Sequence, residues 1–262
     1  MPASAALTYS SYLALDELLA AQRPRSGEHD EMLFIIIHQV YELWFKETIH
    51  ELAFLQRRLE GGDTAHALAT LKRVLTILKT VVAQIDVLET MTPRQFTSFR
   101  SRLEAASGFQ SAQFRVLEAM LGRRDERALA PYGHGTPERQ RIQDAMARPD
   151  LFDSLLRYLV TQGYEVPPGL LERDARARRE PSAAAQQLLL RAYRDDGQAA
   201  QVCERFVDLD EGVQEWRYRH VKMVERTIGA RRGTGGSAGV PYLRTTLFTP
   251  AFPDLWAIRS EL

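Results

Sequence analysis

The chain holds six histidines, and the spacing around two of them places an imidazole where chemistry could be done. Val202, Phe206, Leu209, Val213, Trp216, His220, Met223 and Thr227 follow one another alternately four and three residues apart, which is one face of an α-helix. His220 therefore takes a core slot. An imidazole in an apolar seam needs a hydrogen-bond partner or a metal, because an unpaired buried polar group costs about 1–3 kcal/mol. In LFIIIHQVYELWFKE, His38 shares a helical face with Phe34 one turn before it and with Tyr41, Glu42 and Phe45 after it. Two imidazoles on separate long helices suit a haem pocket, with one axial ligand and one polar group on the open side of the iron. Spacing alone leaves plain core packing open for both.

The other histidines are expected in solvent. His29 sits at a helix entrance, His50 and His66 lie off the buried stripes, and His134 is in a Gly-flanked loop. Glu47 and His50 form an ExxH, the unit of di-iron carboxylate bundles, but that fold needs a second such unit and none is present. Two further segments could meet a ligand. Phe96 and Arg100 stand one turn apart, and a guanidinium beside an aromatic ring suits a planar carboxylate on an apolar molecule; a surface arginine is the alternative. In GARRGTGGSAGVPYLRTT, Gly233, Gly235, Gly236 and Gly239 allow a tight fold over something, with the Thr234 hydroxyl in reach. A lid and a plain linker both fit that segment, whereas a phosphate loop lacks its Lys-Ser/Thr pair and its preceding strand.

Apolar residues recur at helical spacing almost throughout, so the fold class is all-α, a helical bundle with long antiparallel helices. Long helices are expected at roughly Glu28 to Leu59, Thr64 to Glu89 and Gln198 to Ile228. Shorter ones are expected at Ser10 to Ala20, Pro93 to Glu104, Gln110 to Leu121 and Pro137 to Ala147. Gly61-Gly62-Asp63-Thr64 ends one helix and caps the next, and Thr92-Pro93 pairs a hydroxyl cap with a first-turn proline. The division expected is an N-terminal segment over 1–22, a core over 23–122 and 198–262, and an inserted small helical region over 123–197, marked by PYGHGTP, Pro149, Pro167-Pro168 and ERDARARRE.

Composition bounds the rest. In 262 residues, 34 Lys+Arg balance 34 Asp+Glu, so no single-sign field is available to hold nucleic acid. Cys203 is the lone cysteine, there is no CxxCH for covalent haem attachment, and the amino terminus lacks a basic leader region. The apolar run Leu33 to Ile37 is far shorter than the ~20 residues of a membrane span. A soluble, cytoplasmic protein is expected.

LFIIIHQVYELWFKE, LETMTPRQFTSFR, SGFQSAQFRVLE, WRYRHVKMVERTIG and GTGGSAGVPYLRTT, in this order, resemble the tryptophan 2,3-dioxygenase family over most of the chain outside 123–197. The resemblance implies a haem b (b-type haem) held non-covalently, ferrous in the active form, that works with O2 to cleave the indole C2–C3 bond of L-tryptophan and give N-formyl-L-kynurenine. It implies His220 as the proximal iron ligand with Trp216 beside it, and Ser107 lining the pocket. His38 would be distal and accept a hydrogen bond from the indole N–H, Phe34 would pack on the indole, Arg100 would grip the carboxylate and Thr234 the ammonium. YSSYL resembles the family segment that crosses to a neighbouring subunit, so Tyr9, Tyr12 and Leu13 would complete a partner's pocket in a homotetramer built as a dimer of dimers. Phe96 stands where some members carry a carboxylate-binding tyrosine, and Ala238 replaces a serine often seen in the glycine loop. Two other functions remain at this stage, a non-catalytic haem-binding sensor and a di-iron bundle oxidase.

Overall fold

A computed structural model of the chain describes residues 6–231, 233 and 239–262. Among these residues there are helices and turns and no strand. Two short helices, α1 (Tyr9–Leu13) and α2 (Leu15–Leu19), precede the long α3 (His29–Glu60) and α4 (Thr64–Leu88). The single helix expected over Ser10 to Ala20 is thus two pieces, because Ala14 takes a left-handed conformation at φ 49° that no α-helix can continue. After α4 come α5 (Pro93–Arg100), α6 (Ala112–Met120), α7 (Pro137–Met146), α8 (Leu151–Thr161), α9 (Pro168–Leu171) and α10 (Ala183–Arg194). The chain closes with α11 (Gln198–Ile228), α12 (Val240–Arg244) and α13 (Pro253–Ala257).

The central element is α4. Ala67, Leu71, Val74, Leu78, Val81, Ile85 and Leu88 alternate at four and three residues and are all buried, so one stripe runs its whole length. α3 and α11 each pack along α4 rather than backbone to backbone with one another. This leaves a gap between them. Two local features set the arrangement. At the α3–α4 turn Gly62 has φ +72°, and a Cβ there would sit 3.0 Å from Thr161 Oγ1 on α8. Asp63 then caps α4 by accepting from the His66 N–H at 3.2 Å. On α11, Gly212 lets the helix approach α4 so closely that a Cβ would lie 3.2 Å from Leu78 Cδ1.

The region expected as an inserted excursion shares the main core. Leu151, Phe152, Leu155, Leu156, Tyr158 and Leu159 of α8 are buried against α3, and Leu188, Leu189 and Leu190 of α10 join the same cluster as Val202 and Phe206 of α11. A second apolar cluster, Ile37, Ile85, Leu88, Met91, Phe96, Phe99 and Met223, fills the other end of the bundle. Tyr41 and Trp216 pack against both. The gap between α3 and α11 opens at this junction.

Thr92 and Gln95 form a reciprocal cap for α5, with Pro93 in its first turn, as the sequence indicates. The helix is shorter than expected: it tightens to a 3₁₀ turn at Ser101–Leu103 and stops where Glu104 reaches φ 50°. A second 3₁₀ turn, Gly108–Gln110, stands where α6 was expected to begin. These irregular turns carry the chain across the mouth of the gap.

Candidate active site

The α3 wall is built by Phe34, His38, Tyr41, Glu42 and Phe45, residues that helical geometry aligns on one side. The rings of Phe34 and His38 lie 4.1 Å apart. His38 Nδ1–H donates to the Phe34 carbonyl at 2.7 Å, since a carbonyl only accepts, and this fixes the tautomer with the lone pair on Nε2. Burial lowers the His38 pKa below the ordinary imidazole value; the Phe34 carbonyl and the Glu42 carboxylate oppose this and do not overcome it. His38 is therefore a neutral acceptor.

The facing wall comes from α11. His220 lies parallel to the Trp216 indole, with 5.2 Å between ring centroids and 8° between planes. Burial, and secondarily the proximity of His38, pull its pKa down to about 4. Among the described residues His220 has no hydrogen-bond partner, and Trp216 Nε1 is likewise buried and unpaired. A neutral imidazole with free nitrogens is what a metal ion takes as a ligand. The core slot foreseen for His220 is thus the wall of a cavity.

That cavity lies between the two walls and is open to solvent on one side. Leu88, Met91, Phe96, Leu103 and Met223 make much of it apolar, which suits the faces of a porphyrin and of an indole. Arg100 reaches it from the end of α5. Ser107 reaches it from the following loop, where its Oγ accepts from the Phe109 N–H at 3.3 Å. The ring of Phe109 meets Tyr242 of α12 edge-on at 5.4 Å. α12 is itself tied to α11, where Arg244 Nε donates to Glu225 at 2.9 Å. Gly233 and Gly239 also border the cavity, so the ends of the glycine loop converge on it.

A family model described as tryptophan 2,3-dioxygenase matches residues 2–176 and 171–262, nearly the whole chain. The chain belongs to the tryptophan 2,3-dioxygenase family. A protein named tryptophan 2,3-dioxygenase from Anaeromyxobacter sp. (strain K) is 77% identical over 259 residues, covering 99% of this chain and 97% of its own length. Relatives of the same name from Herpetosiphon aurantiacus, at 54% with 99% and 100% covered, and Caulobacter vibrioides, at 44% with 98% of each covered, are similar along the full length as well.

Of the residues that resemblance to the tryptophan 2,3-dioxygenases singled out, Phe34, His38, Phe96, Arg100, Ser107, Trp216 and His220 all line this one cavity. Thr234 and Ala238 lie outside the described residues. Tyr9, Tyr12 and Leu13 are exposed on α1 and do not line it. His29, His50, His66 and His134 are exposed, and among the described residues no group of three or more His, Cys, Asp or Glu side chains is placed to hold a metal ion. The cavity also contains residues the sequence did not single out, Arg115, Glu118, Arg123 and Arg217. A signal for Arg115 existed: it stands three residues after Ala112 and four before Ala119, both buried, so the helical period puts it inside.

Proposed function

We propose that the protein is a haem-dependent tryptophan 2,3-dioxygenase, opening the indole ring of L-tryptophan with O2 to give N-formyl-L-kynurenine. The observation that carries this reading is the placement of two neutral imidazoles, His38 on α3 and His220 on α11, on the walls of one largely apolar cavity. Family membership and the names of the relatives support it.

His220, with unpaired nitrogens and the Trp216 ring beside it, would hold the iron of a non-covalent haem b, and Ser107 would line the same pocket. Ferrous haem, when bound, supplies the O2 activation that places both oxygen atoms on the two carbons of the cleaved bond. The chain orients and encloses. His38 Nε2 accepts the indole N–H, an interaction open to it because its other nitrogen is committed to the Phe34 carbonyl. Phe34 and Phe96, with ring centroids 5.7 Å apart, pack on the planar bicycle. Arg100 takes the carboxylate, and Thr234 in the glycine loop takes the ammonium group, so both ends of the zwitterion are recognised. The apolar walls exclude water from the reacting bond.

The same reading makes Tyr9, Tyr12 and Leu13 part of a neighbouring subunit's pocket in a homotetramer, and their exposure on the isolated chain supports it. No helix among the described residues is long and apolar enough to cross a membrane. A cytoplasmic location accords with the single, buried, free thiol of Cys203. The test is an absorption spectrum of the purified protein followed by a product assay: a Soret band, and formylkynurenine made from L-tryptophan and O2 by the reduced protein. A His220→Ala protein that kept its full chromophore and turnover would overturn the assignment.

A further inference from the structure

Four charged side chains on the cavity wall have no part in the reading above. Arg115 of α6, Arg123 just beyond it and Arg217 of α11 share one carboxylate, Glu118, at 2.6, 2.8 and 3.4 Å. Arg115, Glu118 and Arg217 are each more than nine-tenths buried. The other carboxylate on the wall, Glu42, accepts from the Gln113 amide at 2.9 Å. Arg115 also reaches the Phe109 carbonyl at 3.4 Å, and Arg217 reaches the Thr249 carbonyl at 3.2 Å. Even so, among the described residues Arg115 Nε is buried without a partner, as is Trp216 Nε1 next in sequence to Arg217. Two buried guanidinium groups and the partly exposed Arg123 share the Glu118 carboxylate, with Asp210 a further negative charge acting on Arg217, so the cluster keeps an excess of positive charge that another anion would offset. Among the described residues of the cavity wall, the remaining cation, Arg100, lies on α5, whose part of the wall also carries Phe96.

We infer that Arg115 and Arg217, with Arg123 and the Trp216 N–H beside them, receive the two propionate carboxylates of the haem. This rests on the haem reading above and deepens it. It divides the cationic groups by task, the α6–α11 cluster for the cofactor's acid edge and Arg100 for the substrate's carboxylate. The fork of a guanidinium donates two parallel hydrogen bonds to a carboxylate, and the two indole and guanidinium donors now unpaired would gain acceptors. The charged edge of the haem is thereby directed to one wall and its vinyl edge to the apolar one.

The experiment uses the full-length protein loaded with haem or with haem dimethyl ester, whose two carboxylates are masked. Loss of each porphyrin to excess scavenger globin is followed at the Soret band. The ester should leave the unsubstituted protein at least about tenfold faster than haem. In Arg217→Met, and in the partly exposed Arg123→Gln where misfolding is less of a risk, haem should leave faster and the difference between haem and ester should shrink. The Soret position should hold, because His220 is untouched. Equal loss of haem and ester from the unsubstituted protein would overturn the inference while leaving the dioxygenase reading intact, as would variants that raise only the KM for tryptophan. A protein that takes up neither porphyrin would sink both.

Discussion

His38 is held in one tautomer by its own helix, and its environment keeps it uncharged, so the pH response of catalysis has a defined sign. Because burial puts its pKa below the ordinary 6.5, the Nε2 lone pair is available above that pH and is lost to protonation only as the pH falls further. The acid limb of kcat/KM is expected below pH 6.5; a limb centred above it would mean that His38 is not the acceptor. Glu42 is the carboxylate that opposes this shift, and its replacement by Gln should move the limb lower still. Arg100 makes a different contribution. Loss of a charged hydrogen-bonding partner costs about 1.5–3 kcal/mol, so Arg100→Ala should raise the KM for L-tryptophan at least about tenfold in steady-state assays. Analogues lacking the carboxylate should be nearly blind to that change.

Among the elements, one buried carboxylate makes several of the contacts between α11 and the C-terminal segment. Asp210, buried to 1% exposure, accepts from the backbone N–H groups of Ala251 and Phe252 at 3.0 and 2.9 Å and from Trp256 Nε1 at 3.0 Å. This anchors α13 in the main core, where Leu255 and Phe252 lie buried. Asp210→Ala would strand these three donors and the Gln214 amide, which donates to it at 3.0 Å, and a destabilisation of about 3 kcal/mol or more is expected in urea unfolding. Asp210→Asn, which keeps one acceptor oxygen, should recover part of it. α8 is held by similar means: Asp150 and Asp153 of its reciprocal cap pair with Arg173 at 2.6 and 2.8 Å and with Arg179. That network explains how a stretch rich in arginine and proline ends in the core rather than outside it. Its charges are neutralised in pairs while the leucines of α8 pack on α3.

For the whole molecule, Leu7, Tyr9, Tyr12, Leu13, Leu18 and Leu19 are each exposed on the N-terminal segment, which leaves that segment with unburied apolar surface. If this surface completes a neighbour's pocket, deleting residues 1–13 should weaken tryptophan binding more than haem retention. It should also shift the sedimentation profile toward smaller species. Unchanged substrate affinity together with an unchanged profile would remove the exchanged segment from the account.

The sequence by itself determined the three long helices to within a residue or so, because α3, α4 and α11 each repeat apolar residues at three- and four-residue steps and the Gly61-Gly62-Asp63 turn marks the break between the first two. It also singled out His38 and His220 as imidazoles on apolar helical faces, and Phe96 and Arg100 as a pair one turn apart with a surface arginine as the alternative. Tertiary structure decided what a one-dimensional pattern cannot hold. A helical stripe says that His220 faces inward but not whether it meets another side chain or an open cleft. That depended on α3 and α11 both packing along α4 and so standing apart. The core role of α8 was hidden because its burial rests on pairing between residues 150–153 and 173–179, which are distant in sequence. The cationic wall was hidden for the same reason: Arg115, Glu118 and Arg217 become one cluster only when α6 and α11 meet, across 99 residues between Glu118 and Arg217.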